Sequence, residues 1–325
     1  MSNIGVAFDG RAPLADIAAQ ARAAEAGGAS TLWFAGHLFL RDPITTAATA
    51  LAATTRVRVA LMAMSPYSVH PVFIAMTAAA LHELHPGRVT LCLGVGAPGD
   101  LAAAGIAAPK PLTTMRETID ICRLLFAGET IRHEGDVFKV SGRRLASAPC
   151  SIPIVLAASG PQMLELAGAV ADGVLISAAT SVPFVRWCLD QAERGARGRT
   201  FARIGIVYTR VDAEAKRARD SMRRTLGFIL RGPHHAKNIE LSGARLDREA
   251  LWKAYAAEDW SAVEAMIGDD VVERHAAAGT PEDVRRRFAE YGGIGLDEVV
   301  VGGIDDTQGI AAALQAVGGG TSGLT

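Results

Sequence analysis

Residues 152–177, "IPIVLAASGPQMLELAGAVADGVLIS", read as strand, helix, strand. Ile154–Ala157 and Gly173–Ile176 are short continuous apolar runs, the pattern of strands buried on both faces. Between them Pro161 stands one residue past Gly160 at the head of a helical period, so a tight βα turn presents a helix N-terminus. That turn is either an anion site or an ordinary connection, and spacing leaves both open.

The same unit repeats along the chain. Further strands read at Ile4–Phe8, Thr31–Phe34, Val57–Ala63, Val89–Val95, Ile204–Arg210 and Glu298–Val301, which with the first two makes eight. Helical stretches such as "LADIAAQARAAEAGG", "PITTAATALAATT", "TTMRETIDICRLLFAGE" and "TPEDVRRRFAEYGG" separate them. Eight strands with eight crossovers in this length predict an α/β fold of the (β/α)8 TIM barrel type. "FDGRAPL" after the first strand lacks the glycine pattern that an open dinucleotide-binding sheet needs.

A single barrel domain is expected over residues 1–317, with a helical insertion at about 228–278 and a flexible tail at 318–325. That insertion, carrying "RGPHHAKN" and many charges, is either a solvated elaboration or a cap over the substrate. A formal net charge of -1 leaves no field to attract nucleic acid or an anionic membrane, so a small-molecule partner is expected. Cys92, Cys122, Cys150 and Cys188 show no CxxC or metal spacing and read as packed, reduced thiols. No trio of His, Asp and Glu has metal spacing either, and without a leader or a long apolar run the expectation is a cytoplasmic protein.

In such barrels chemistry sits at the C-terminal strand ends, and small residues dominate there. Backbones can therefore approach a flat or phosphorylated ligand closely. His37, in "WFAGHLFL", follows strand two and is either a loop histidine or a proton partner. Asp9 and Asp100 stand at strand mouths, where each either supplies a carboxylate or caps a turn.

The blocks "LHELHPGRVTLCLGVGA", "PLTTMRETIDICRLLFAGE", "HEGDVFKV", residues 152–177 and "AAGTPEDVRRRFAEYGGIGLDEVVVGG" together resemble the luciferase-like monooxygenase superfamily, in family order from Gly5 to Gly303. Within it, "MSPYSVHP" and "AASGPQMLELAG" are most similar to the branch using coenzyme F420, and above all to the methylenetetrahydromethanopterin reductases. The resemblance implies a rim that binds the deazaflavin ring, with the phosphate-bearing tail on backbone amides of Ala158, Ser159, Gly160 and Pro161. It implies a non-prolyl cis peptide bulge at Met62–Ala63 against one ring face. Ser65, Val95, Gly96 and Ser177 are implied cofactor contacts, while Met64 and Tyr67 would pack against the ring.

The chain departs from its relatives where acids are expected. Ala7 and Ala97 stand where the resemblance to the pterin reductases implies carboxylates, and Gly36 where relatives often carry an acid, which puts the pterin substrate in question. The catalytic candidates are His37, which coincides with the family's strand-two histidine, and Asp9, a displaced carboxylate two residues past Ala7.

Three functions follow from the resemblance. The first is an F420-dependent oxidoreductase passing hydride between the deazaflavin and a small organic substrate. The second is an FMN-dependent monooxygenase supplied by a separate flavin or F420 reductase, and the third a coenzyme-binding protein with little activity. A homodimer through the helices after strands two and three is also implied.

Overall fold

A computed structural model of the chain describes residues 2–318, so all of the expected tail beyond Gly318 lies outside the described residues. Eight parallel strands form the centre: β1 (Asn3–Phe8), β2 (Thr31–Ala35), β3 (Arg58–Met64), β4 (Val89–Leu93), β5 (Ile154–Ala157), β6 (Gly173–Ile176), β7 (Ala202–Val211) and β8 (Glu298–Gly302). Each pairs with the next, β8 pairs with both β7 and β1, and β6 pairs with β7, which closes the barrel. It is a (β/α)8 TIM barrel.

The two buried faces explain why the strands read as unbroken apolar runs. Ala7, Trp33, Ala60, Cys92, Val155, Leu175, Ile204, Ile206 and Val300, from all eight strands, meet as one cluster in the interior. Their neighbours in sequence, such as Phe8, Phe34, Leu61, Leu91 and Leu156, face outward into the helical layer. At the N-terminal end the buried Glu298 accepts from Trp33 Nε1 at 3.0 Å and Thr31 Oγ1 at 3.4 Å, and burial raises its pKa. This carboxylate forms part of the barrel floor, far from the rim.

Two long connections carry structure of their own. Arg132–Glu134 and Lys139–Ser141 form a hairpin, seated where the Glu117 carboxylate accepts the N–H groups of Asp136 and Phe138, each at 2.8 Å. After the helix Ala215–Leu230 come four short helices, Ala236–Ser242, Arg248–Ala256, Trp260–Met266 and Asp269–His275. Leu226, Leu251, Val263, Ile267 and Val272 pack together as their core, with Ala179 from the barrel rim among them. Ala277–Gly279 then pairs with the end of β7.

The four cysteines are unpaired, and burial pushes the thiols up, that of Cys122 to about 12. Among the described residues no helix is long and apolar enough to cross a membrane, and no group of three metal-ligating side chains is present.

Candidate active site

The rim is built on β3 and β4. The Met62–Ala63 peptide is cis, and the β3–β4 register shifts between Leu61 and Met64. Met62 and Ala63 border the interior cluster with Ala157 and Tyr208. The shift turns Met64 the other way, into the layer between barrel and helices. Met64 therefore offers the rim its backbone alone, contrary to the expected packing of its side chain against a ring.

Small residues keep this floor open. A Cβ on Gly94 would stand 2.9 Å from the Ala63 Cβ, so no side chain fits there. Gly36 lies against the same bulge, its N–H donating to the Met62 carbonyl at 2.5 Å. A Cβ there would meet the Ala63 carbonyl oxygen at 3.2 Å and Pro43 at 3.3 Å, which leaves little room for an acid.

Ser65 ties the floor to the neighbouring loop. Its buried hydroxyl donates to the Val95 carbonyl at 2.7 Å, and its carbonyl accepts from Ser68 and Val69. Ser65 thus orients Val95 and Gly96 rather than presenting a free hydroxyl. Tyr67 is held in the same way, its hydroxyl donating to the Pro109 carbonyl at 2.6 Å.

The β5 turn has fewer free amides than expected. The N–H of Ala158 donates to the Leu175 carbonyl at 3.1 Å, extending the β5–β6 ladder, and Pro161 has no N–H. Ser159, Gly160 and the first turn of the helix Pro161–Val170 remain as donors. Gly160 is exposed at the N-cap with no side-chain cap, and nothing lies within 4 Å of where its Cβ would be. Ser177 follows β6 on the inward-facing register of Gly173 and Leu175, and its peptide with Ala178 is also cis.

The polar side chains at the mouth sort clearly. His37 is half-exposed, with Nδ1 3.6 Å from Asp100 Oδ2. Asp100 lies in the first turn of the short helix Pro98–Ala103, where a carboxylate suits the helix dipole. Asp9 caps its own turn: Oδ1 accepts the Arg11 N–H at 2.9 Å and Oδ2 pairs with the Arg11 guanidinium at 2.5 Å. The carboxylate beside His37 is therefore that of Asp100, and Asp9 takes the turn-capping alternative.

Tyr208 was not singled out in the sequence. Its ring sits at the mouth between the interior cluster and the insertion, under Gly303, and burial raises its pKa to about 12. The inward alternation of β7 through Ile204 and Ile206 is the signal that places it. The insertion reaches the mouth near Phe228, whose ring lies 5.8 Å from the Arg11 guanidinium and 4.3 Å from that of Arg231.

A parallel barrel with a glycine-floored rim and an uncapped helix start admits many cofactor proteins. The sequence profile of the luciferase-like monooxygenases matches residues 3–298. The chain belongs to the luciferase-like monooxygenase family. Among relatives in this family, a 5,10-methylenetetrahydromethanopterin reductase of Archaeoglobus fulgidus is 32% identical over 288 residues, 86% of each chain. One from Methanolobus tindarius is 30% identical over 307 residues, covering 92% of this chain and 93% of that protein.

The structure of a coenzyme F420-dependent tetrahydromethanopterin reductase from Methanopyrus kandleri superposes with a TM-score of 0.90 at 22% identity, over 97% of this chain and 98% of that one. An F420-dependent secondary alcohol dehydrogenase, in complex with an F420-acetone adduct, gives 0.81 at 19%, over 97% and 99%. These two likenesses show the luciferase-like fold.

Proposed function

We propose that this luciferase-like protein is an F420-dependent oxidoreductase that passes hydride between the coenzyme and a small organic substrate. The relatives named above are F420-dependent or methanopterin enzymes by name, and the rim of this chain fits a flat ring with an anionic tail. The observation that carries the reading is the cradle at Ala63, Gly94 and Ala157, which a single Cβ would fill.

F420 supplies a two-electron hydride carrier when bound. The Met62–Ala63 bulge, Val95 and Gly96 would hold the ring, and Ser159, Gly160 and the first turn of the following helix the phosphate-bearing tail. His37, one residue past the bulge contact of Gly36, is placed to hold or release a proton at its imidazole. Asp100 orients that imidazole, and Asp9 and Arg11 keep the β1 loop in shape. Tyr67 and the insertion wall off the mouth and exclude water.

The substrate is smaller than, or different from, a pterin. Support comes from the three expected carboxylates: Ala7 is buried, Gly36 has little room for a side chain, and Ala97 is the N-cap of the Asp100 helix. We further propose a cytoplasmic homodimer. Of the helices following β2 and β3 through which it is expected to form, Pro71–Leu84 after β3 supports it, with Phe73 and Met76 about half-exposed. A separate F420 reductase would regenerate the coenzyme where the substrate runs the reaction one way. The test is anaerobic incubation of the protein and F420 with a panel of alcohols and electrophilic carbonyl or imine compounds. Turnover of F420 in one direction is expected, whereas oxygen-dependent turnover with reduced FMN alone would assign the monooxygenase activity instead.

A further inference from the structure

The helical insertion reaches back to the rim through two side chains that have almost no exposure, Asn238 (0%) and His275 (1%). Asn238 Oδ1 accepts the N–H of Ser181 at 2.9 Å, and its Nδ2 donates to the Ala179 carbonyl at 2.8 Å. His275 Nδ1 donates to that same carbonyl at 2.9 Å, since a carbonyl only accepts. Its Nε2 stands 3.1 Å from Ser242 Oγ, in the insertion. The Tyr291 hydroxyl donates to the carbonyl of the residue between, Thr180. Three consecutive residues are thus each gripped by a side chain at least 57 positions away.

The gripped stretch has a backbone that its own sequence does not ask for. Ala179 has φ of +48°, a left-handed conformation that costs an alanine about 1 kcal/mol or more. Its carbonyl is held by both Asn238 and His275. Two residues earlier stands Ser177, which follows β6 on its inward-facing register at the rim.

Satisfying buried polar groups would by itself account for one or two of these bonds. It does not account for two donors from the insertion meeting on one strained carbonyl at the edge of the site. We propose that Asn238 and His275 are positioning residues: by clamping Ala179–Ser181 they set where Ser177 stands, and so couple the folded insertion to coenzyme binding. The coenzyme part of this claim rests on the F420 reading above, whereas the clamp itself does not.

The test compares Asn238→Ala with Val263→Ala, which opens the same insertion core without touching the clamp. Hydrogen exchange of the peptide covering residues 177–184 and the Kd for F420 are measured beside Tm in the full-length protein. The expected result is that Asn238→Ala speeds exchange in that peptide and raises Kd by about ten-fold, more than Val263→Ala at a similar loss of Tm. Should Asn238→Ala not fold, Ser242→Ala, which loosens His275 and also removes the Oγ contacts to Ile239 and Ala244 within the insertion, is expected to give the same pattern more weakly. Equal exchange and equal Kd in clamp and control variants would overturn the proposal. If the wild type does not bind F420, the function above falls, and the exchange comparison alone decides the clamp.

Discussion

The carboxylate of Asp100 stands 3.6 Å from Nδ1 of His37, across two loops that start on different strands. Both groups are partly exposed, so the pair contributes little to stability. Its consequence is orientation. At 3.6 Å the two do not hydrogen-bond, so the carboxylate steers the imidazole by its charge alone. His37→Ala is expected to lower turnover by about a hundred-fold and Asp100→Asn by about ten-fold, both with F420 affinity kept. Steady-state rates and fluorescence titration of the same variants check this, and unchanged turnover in His37→Ala would return it to a loop role.

The cradle predicts the reverse split. Gly94→Ala puts a methyl group 2.9 Å from the Ala63 Cβ, in the floor proposed to lie beneath the ring. F420 affinity should fall by about ten-fold or more, with a Tm loss of a few degrees from overpacking. Titration beside thermal unfolding separates the two effects, and an unaltered Kd would move the ring elsewhere on the rim.

Much of this was legible in the residues. The eight strands are readable because both faces of each are buried, and the proline starts of helices at Pro161 and Pro281 are read directly from sequence. Val89–Val95 overran its strand by two residues, since β4 stops at Leu93 where Gly94 must pass under Ala63. Met64 faced the wrong way because the register shift turns every later side chain over, and spacing alone does not reveal a bulge. The hairpin at Arg132–Ser141 gives no strand signal in the sequence, its strands being three residues long and mostly polar. Asn238 and His275 gave no signal, because their meeting at Ala179 is made by the tertiary fold.

The insertion also gives stability a pH dependence. Burial lowers His275 to about 4 and His235 to about 3, both well below an ordinary imidazole. The unfolded chain takes up protons near pH 6.5, so between there and about pH 4 it binds more of them than the folded chain does. This stability is complete above about pH 6.5 and is lost as pH falls through that window, at up to about 1.4 kcal/mol per unit for each histidine. Glu298 acts in the opposite sense, since its raised pKa contributes stability at low pH that is lost as pH rises. Urea midpoints should be lower at about pH 5 than at about pH 7, and His275→Gln should flatten the difference.

The most direct measurement is a titration of the purified protein with F420 and, separately, with FMN, following ligand fluorescence. The account predicts tight, saturable binding of F420 and much weaker binding of FMN, with the F420 affinity lowered by about ten-fold or more in Gly94→Ala. Submicromolar binding of FMN with none of F420 would contradict it.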